Sequence, residues 1–85
     1  MNKGNSLVNV LISTYNGEKY ITEQIDSILR QTYPNIRIYV RDDGSSDGTI
    51  DILKSYEEKG KIILLTGENV GYGRSFGKLL QYAEA

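Results

Sequence analysis

The 85-residue chain has no cysteine, so neither a disulfide framework nor a thiolate metal site is available to it. It also lacks an excess of charge of either sign: 10 Lys+Arg stand against 11 Asp+Glu, and no basic stripe runs between the 7 tyrosines. A nucleic-acid surface is therefore disfavoured. Long apolar runs are missing too. The apolar stretches fall far short of a bilayer's thickness, and Met1-Asn2-Lys3-Gly4-Asn5-Ser6 leads into a strand pattern instead of a signal-peptide core, so no membrane-inserting segment is expected. No internal repeat, linker or low-complexity tract interrupts the chain. At this length it makes one domain at most, with little stability in reserve.

What is present is an alternation of strand and helix patterns with short punctuation, which predicts right-handed βαβ crossovers and a parallel sheet. Leu7-Val8-Asn9-Val10-Leu11-Ile12 is nearly all apolar and reads as a central strand covered on both faces. Tyr20, Ile21, Ile25, Ile28 and Leu29 recur at helical spacing after Asn16, a competent N-cap, and Tyr33-Pro34 is expected to close that helix. Ile36, Ile38 and Val40 then alternate with Arg37, Tyr39 and Arg41, giving a second strand with a more polar face. A second helix is expected to start between Asp47 and Thr49, bury Ile50, Leu53 and Tyr56, and stop at Gly60. Lys61-Ile62-Ile63-Leu64-Leu65 reads as the third strand. After the turn Gly67-Glu68-Asn69-Val70-Gly71-Tyr72-Gly73, a last helix carries Phe76, Leu79, Leu80 and Ala83 on one face. The resulting β-α-β-α-β-α chain is half of a typical doubly wound domain, so the expectation is a partial domain spanning residues 1–85.

Between the second strand and the second helix lies Asp42-Asp43-Gly44-Ser45-Ser46-Asp47-Gly48. Ligands of open parallel sheets collect beyond the carboxyl ends of strands, where a fixed carboxylate accepts hydrogen bonds from a base or ribose. Duller readings compete. An acidic Gly/Ser loop is often only a turn that caps the next helix. Asp43, Ser45, Asp47 and Gly48 also occupy positions 1, 3, 5 and 6 of a calcium loop, although Lys54 stands where the bidentate glutamate belongs and a strand precedes the loop. Gly71, Gly73 and Gly77 evoke a dinucleotide fingerprint, but Phe76 takes the third glycine's place. Arg37 and Arg41 are most simply a polar sheet face or helix partners, and Glu18 either caps the first helix or meets a ligand.

Four blocks resemble the family 2 glycosyltransferases: residues 8–17 (VNVLISTYNG), 31–36 (QTYPNI), 40–49 (VRDDGSSDGT) and 68–71 (ENVG). The resemblance covers almost the whole chain, and the form of the first and third blocks is similar to the branch that includes rhamnosyltransferases of bacterial cell-surface glycans. It implies the amino-terminal, Rossmann-like half of a GT-A fold with strand order 3-2-1, and transfer of a sugar from a UDP- or dTDP-sugar to a polysaccharide, glycoconjugate or lipid-linked acceptor. It also implies that Ser13, Thr14 and Tyr15 line the nucleotide pocket, with Tyr15 packed on the base. Asp43 would accept a hydrogen bond from the pyrimidine ring nitrogen, with Asp42 beside it. Asn69 and Gly71 would belong to a turn that closes over the nucleotide, and Arg74 would reach a donor phosphate, although relatives often carry their arginine where Phe76 stands.

The same resemblance implies a divalent cation, Mg²⁺ or Mn²⁺, in the intact enzyme, held by an acidic pair that follows the third helix, with the catalytic base further on. No metal ligand or catalytic residue is therefore expected within these 85 residues, and the piece is expected to be inactive alone. The intact parent is expected in the cytoplasm or at the cytoplasmic face of a membrane. The alternative to a nucleotide pocket is a non-catalytic interaction module, self-associating or assembling through the exposed edge of residues 7–12.

Overall fold

The computed structural model describes residues 7–31 and 35–84. Three strands alternate with three helices: β1 (Val8–Thr14), α1 (Ile21–Leu29), β2 (Ile36–Asp43), α2 (Thr49–Glu58), β3 (Ile63–Gly67) and α3 (Tyr72–Glu84). All pairings are parallel, and the strand order β1-β2-β3 is the expected 3-2-1 order read from the other edge. Thr14 lies opposite Asp42, and Asp43 lies opposite Gly67, so the carboxyl ends of all three strands meet along one edge of the sheet.

The helices divide between the two faces. Ile12, Ile38 and Val40 point to one face and pack with Ile21 and Ile25 of α1, Leu53 of α2, and Ile62. The Tyr56 hydroxyl of α2 donates to Asp26 Oδ1 of α1 at 2.5 Å, tying the two helices together. Burial, followed by that bond to the carboxylate and the Asp26 charge, raises the Tyr56 pKa above its ordinary value, against a smaller opposing effect of Thr22. α3 covers the opposite face, against β1 and β2. There Tyr39 meets the ring of Tyr82 edge-on, with centroids 6.0 Å apart.

Several expectations shift. β1, expected to be central, is an edge strand of the described sheet; β2 holds the centre and is buried from Ile38 onward. Apolar content misdirects that reading because the charges of β2 are buried with partners. Asn16 does not cap α1. It adopts a positive φ of 50°, and the helix begins at Ile21, whose amide donates to the Gly17 carbonyl at 2.8 Å. Tyr20 is exposed instead of packed. α1 ends at Leu29, and the expected stop at Tyr33-Pro34 lies outside the described residues.

α2 ends as its glycine predicts. Gly60 has φ 73°, its amide donates to the Glu57 carbonyl, and the Lys61 amide donates to the Tyr56 carbonyl, which together satisfy the last turn. Because Gly60 and Lys61 serve that cap, β3 starts at Ile63, two residues later than Lys61. On α3 the buried stripe is Ser75 and Leu79, flanked by partly buried Phe76 and Ala83, while Leu80 is 41% exposed. Leu53→Ala is expected to lower the unfolding free energy in a urea titration by about 3 kcal/mol. Leu80→Ala should leave it within about 0.5 kcal/mol, and equal losses would contradict this assignment of faces.

Candidate functional site

The loops that leave β1 and β2 clasp each other. The Asn16 amide donates to Ser45 Oγ at 2.8 Å, and Asn16 Oδ1 accepts from the Ser46 amide at 2.8 Å. Glu18 Oε1 accepts the Gly48 amide at 2.9 Å, so Glu18 serves the amino-terminus of α2, not that of α1. Asp47 returns the contact, accepting from the amides of Thr49 at 2.9 Å and Glu18 at 3.3 Å and from the Thr49 hydroxyl. The Thr49 hydroxyl bond above all, against burial and with the amide bonds of Thr49 and Glu18, holds the Asp47 carboxyl below its ordinary value.

Asp42 and Asp43 are not loop residues but the last two residues of β2. Successive strand residues point to opposite faces, so the adjacent carboxylates part company. Asp42, fully buried, turns toward the α1/α2 side and holds the loop: its Oδ2 accepts the Ser45 amide at 2.8 Å and its Oδ1 the Ser45 hydroxyl at 2.5 Å. Asp43 turns toward α3. Its Oδ1 accepts from Arg41 Nη1 at 2.8 Å and from the Val70 amide at 3.0 Å, and its Oδ2 accepts the Gly71 amide at 3.2 Å. An ionised carboxylate offers about four acceptor sites, which leaves one on Oδ2.

Arg41 extends this network. Its Nη1 also donates to Ser75 Oγ at 2.9 Å, and Nη2 reaches the Glu68 carbonyl at 3.4 Å. Ser75 in turn accepts from Ser13 Oγ at 2.6 Å, so β1, β2, the turn after β3 and α3 are linked through side chains. The loop after β2 also presses on that turn. Gly44 has φ 79°, and a Cβ there would stand 2.8 Å from the Asn69 amide nitrogen. Burial pushes the Asp43 carboxyl up, but the Val70 amide, the Arg41 side chain, the Gly71 amide and the Arg41 charge together hold it below its ordinary value.

Ser13, Asp43 and the Gly71 amide, at φ 92°, thus gather on the α3 side of the carboxyl edge, while Asn69 lies in the same turn with its backbone against Gly44. Tyr15 follows Thr14 just beyond that edge and is 49% exposed. Asn69 and Arg74 are also exposed. Thr14 and Asp42 do not join the group, because their alternation sends them beneath the loops on the other face. Thr14 Oγ1 is buried without a partner among the described residues, facing Gly17, where a Cβ would stand 2.6 Å away. Sequence reading passed over two members, Ser75 and the true role of Arg41. The available signals are a polar residue one turn before Leu79 on the inward helix stripe, and an arginine two positions before Asp43 on the same strand face.

The calcium reading does not survive this geometry. Asp43 faces α3 while Asp47 faces the amides of Thr49 and Glu18, and among the described residues no group of three or more acidic side chains is placed to hold a metal ion.

An open parallel sheet with polar groups converging beyond adjacent strand ends is the arrangement in which α/β proteins take ligands. The model of glycosyl transferase family 2 matches residues 9–85, and the chain belongs to that family. It is 51% identical over 67 residues to an uncharacterized glycosyltransferase of Rickettsia prowazekii, a match covering 79% of this chain and 20% of that protein. It is 37% identical over 81 residues to TuaG of Bacillus subtilis, a putative teichuronic acid biosynthesis glycosyltransferase, covering 92% of this chain and 32% of that protein.

Solved structures agree on the GT-A fold. S. aureus TarS, residues 1–349, superimposes with a TM-score of 0.78 at 32% identity, covering 89% of this chain and 24% of that one. The mannosyltransferase PcManGT of Pyrobaculum calidifontis, in complex with GDP-Man and Mn²⁺, gives 0.75 at 26% identity, covering 96% and 26%. The chain spans about a fifth of the length of the first curated relatives it matches.

The depressed Asp43 carboxyl predicts an acid-side loss of stability. A group whose folded value lies below its unfolded value, near 3.8, stabilises the fold above that value and loses the contribution as pH falls through the folded one. Unfolding free energy measured from pH 6 down to pH 2.5 should therefore fall below about pH 4. Asp43→Asn should flatten that decline, and an unchanged slope would show that Asp43 is not held ionised by its donors.

Proposed function

We propose that this chain forms the donor-nucleotide half of a glycosyltransferase that passes a sugar from a UDP- or dTDP-sugar to a polysaccharide or other glycan acceptor. The observation that carries the proposal is the placement of Asp43: at the end of the central strand, pinned by three donors, with one acceptor site left on Oδ2. A base with a ring N–H is the complement of that acceptor, and the half-exposed Tyr15 beyond the neighbouring strand offers an aromatic face for stacking. Family membership and the GDP-Man in the PcManGT complex support a nucleotide-sugar donor in general. On this reading the turn of Asn69 and Gly71 would close over the nucleotide and Arg74, exposed near the start of α3, would reach the donor phosphate.

A divalent cation accompanies the nucleotide-sugar in PcManGT, and in a transferase of this kind it offsets charge on the leaving diphosphate. The cation's ligands and the catalytic base belong, on this reading, to the rest of the parent enzyme. On this reading residues 1–85 are a partial domain that binds without turning over. The parent acts in the cytoplasm or at the cytoplasmic face of a membrane, where nucleotide sugars are found; among the described residues no helix is long and apolar enough to cross one. The open side of β1 favours a second reading, assembly of the sheet edge with another strand.

Titration of the chain with UDP, dTDP and GDP, followed at the Tyr15 ring and the Gly71 amide, tests the proposal. Saturable shifts with UDP or dTDP that disappear in Asp43→Ala are expected. Absence of any shift, together with a molecular size that grows with concentration, would replace the nucleotide pocket with the assembly module.

A further inference from the structure

We infer that Arg41 is a positioning residue for the nucleotide site: its guanidinium, laid beneath the end of β3, holds the Asp43 carboxylate and the turn of residues 67–71 as one unit with α3. The inference rests on the proposed function for its consequence, but its geometry stands apart from it. Arg41 is 4% exposed and sits two residues before Asp43 on the same face of β2. The two N–H groups of Nη1 have two acceptors, Asp43 Oδ1 at 2.8 Å and Ser75 Oγ at 2.9 Å. Nη2 reaches forward to the Glu68 carbonyl. Asp43 grips the same turn from its other end, through the amides of Val70 and Gly71.

The turn is therefore held at Glu68 by a cation and at Val70 and Gly71 by an anion, and the two charges are bonded to each other. A planar fork is suited to this span, whereas an ammonium is a point donor on a flexible stem. Gly67 provides the space. A Cβ at position 67 would come within 2.3 Å of Arg41 Nη2, so an alanine there would force the end of the guanidinium to move. Ser75 and Ser13 carry the link onward to α3 and β1, so the carboxylate that would face a ligand takes its direction from two strands, from α3 and from the turn after β3.

The experiment compares the 85-residue chain with Gly67→Ala, Arg41→Lys and Arg41→Met. Gly67→Ala alters no charge and no hydrogen-bonding side chain, yet its methyl group takes the place of Nη2. Amide exchange of Val70 and Gly71, measured relative to the core Ile25 amide, should accelerate by about tenfold in Gly67→Ala and by more in Arg41→Met, with Arg41→Lys between the parent and Arg41→Met. The UDP dissociation constant should rise by about tenfold in parallel. A Gly67→Ala protein whose Val70 and Gly71 amides exchange within about twofold of the parent would overturn the inference, and it decides the matter even if Arg41→Met does not fold. Should the parent chain bind no nucleotide, the proposed function fails by itself, and the exchange rates still decide the role of Arg41.

Discussion

The buried ion pair between Arg41 and Asp43, 2.8 Å long with both side chains almost fully out of water, is the constraint around which the carboxyl edge of the sheet is arranged. A charge in such a place is tolerated only when its partner and its remaining hydrogen bonds are supplied, and removing one member of a buried pair costs about 3–5 kcal/mol. The other hydrogen bonds of this pair come from several elements, and one acceptor site on Asp43 Oδ2 stays open. Ser75 comes from α3, the Glu68 carbonyl and the Val70 and Gly71 amides come from the turn after β3, and Ser13 of β1 joins through Ser75. In a chain of 85 residues with a small core, such a pair commits several segments to one geometry at once.

The alternation of strand residues divides the labour. Because Asp42 and Asp43 lie within β2, one carboxylate serves the loop that precedes α2 while the other serves the turn that precedes α3. The loop held by Asp42 is gripped again by Asn16 and Glu18, and Gly44 brings its backbone against Asn69. Both connections at the carboxyl edge are thus braced from beneath and from the side. Loops so braced are an economical place for a ligand site, since little ordering entropy remains to be lost when a ligand arrives.

Much of this was legible in the residues and some was not, for physical reasons. The alternation of periods gave the order of elements, and Gly60 gave the end of α2 because a left-handed residue there needs no tertiary context. The acidic run marked the carboxyl edge correctly, but its boundary was misjudged: aspartate is rare inside strands, and only the surrounding donors make Asp42 and Asp43 acceptable there. Asn16 looked like a cap for α1, yet its side chain is used thirty residues away at Ser46. Such non-local bonds leave no periodic trace.

The two faces of β2 carry different kinds of energy. On the α1/α2 side Ile38 and Val40 pack against Ile21, Ile25 and Leu53, a non-directional contribution that grows with the apolar area removed from water. On the α3 side Tyr39, Arg41 and Asp43 follow one another, and the contributions there are directional, depending on distance and on every partner being present. A methylene lost from the first face weakens the fold without redirecting anything, because neighbouring apolar groups relax into the space. A donor lost from the second face leaves an acceptor turned toward nothing, and the backbone it held is released. Packing stability and the orientation of the Asp43 carboxylate are thus set on opposite sides of a single strand, which is why Ser75 belongs to the polar network around Asp43 while the equally buried Leu53 does not.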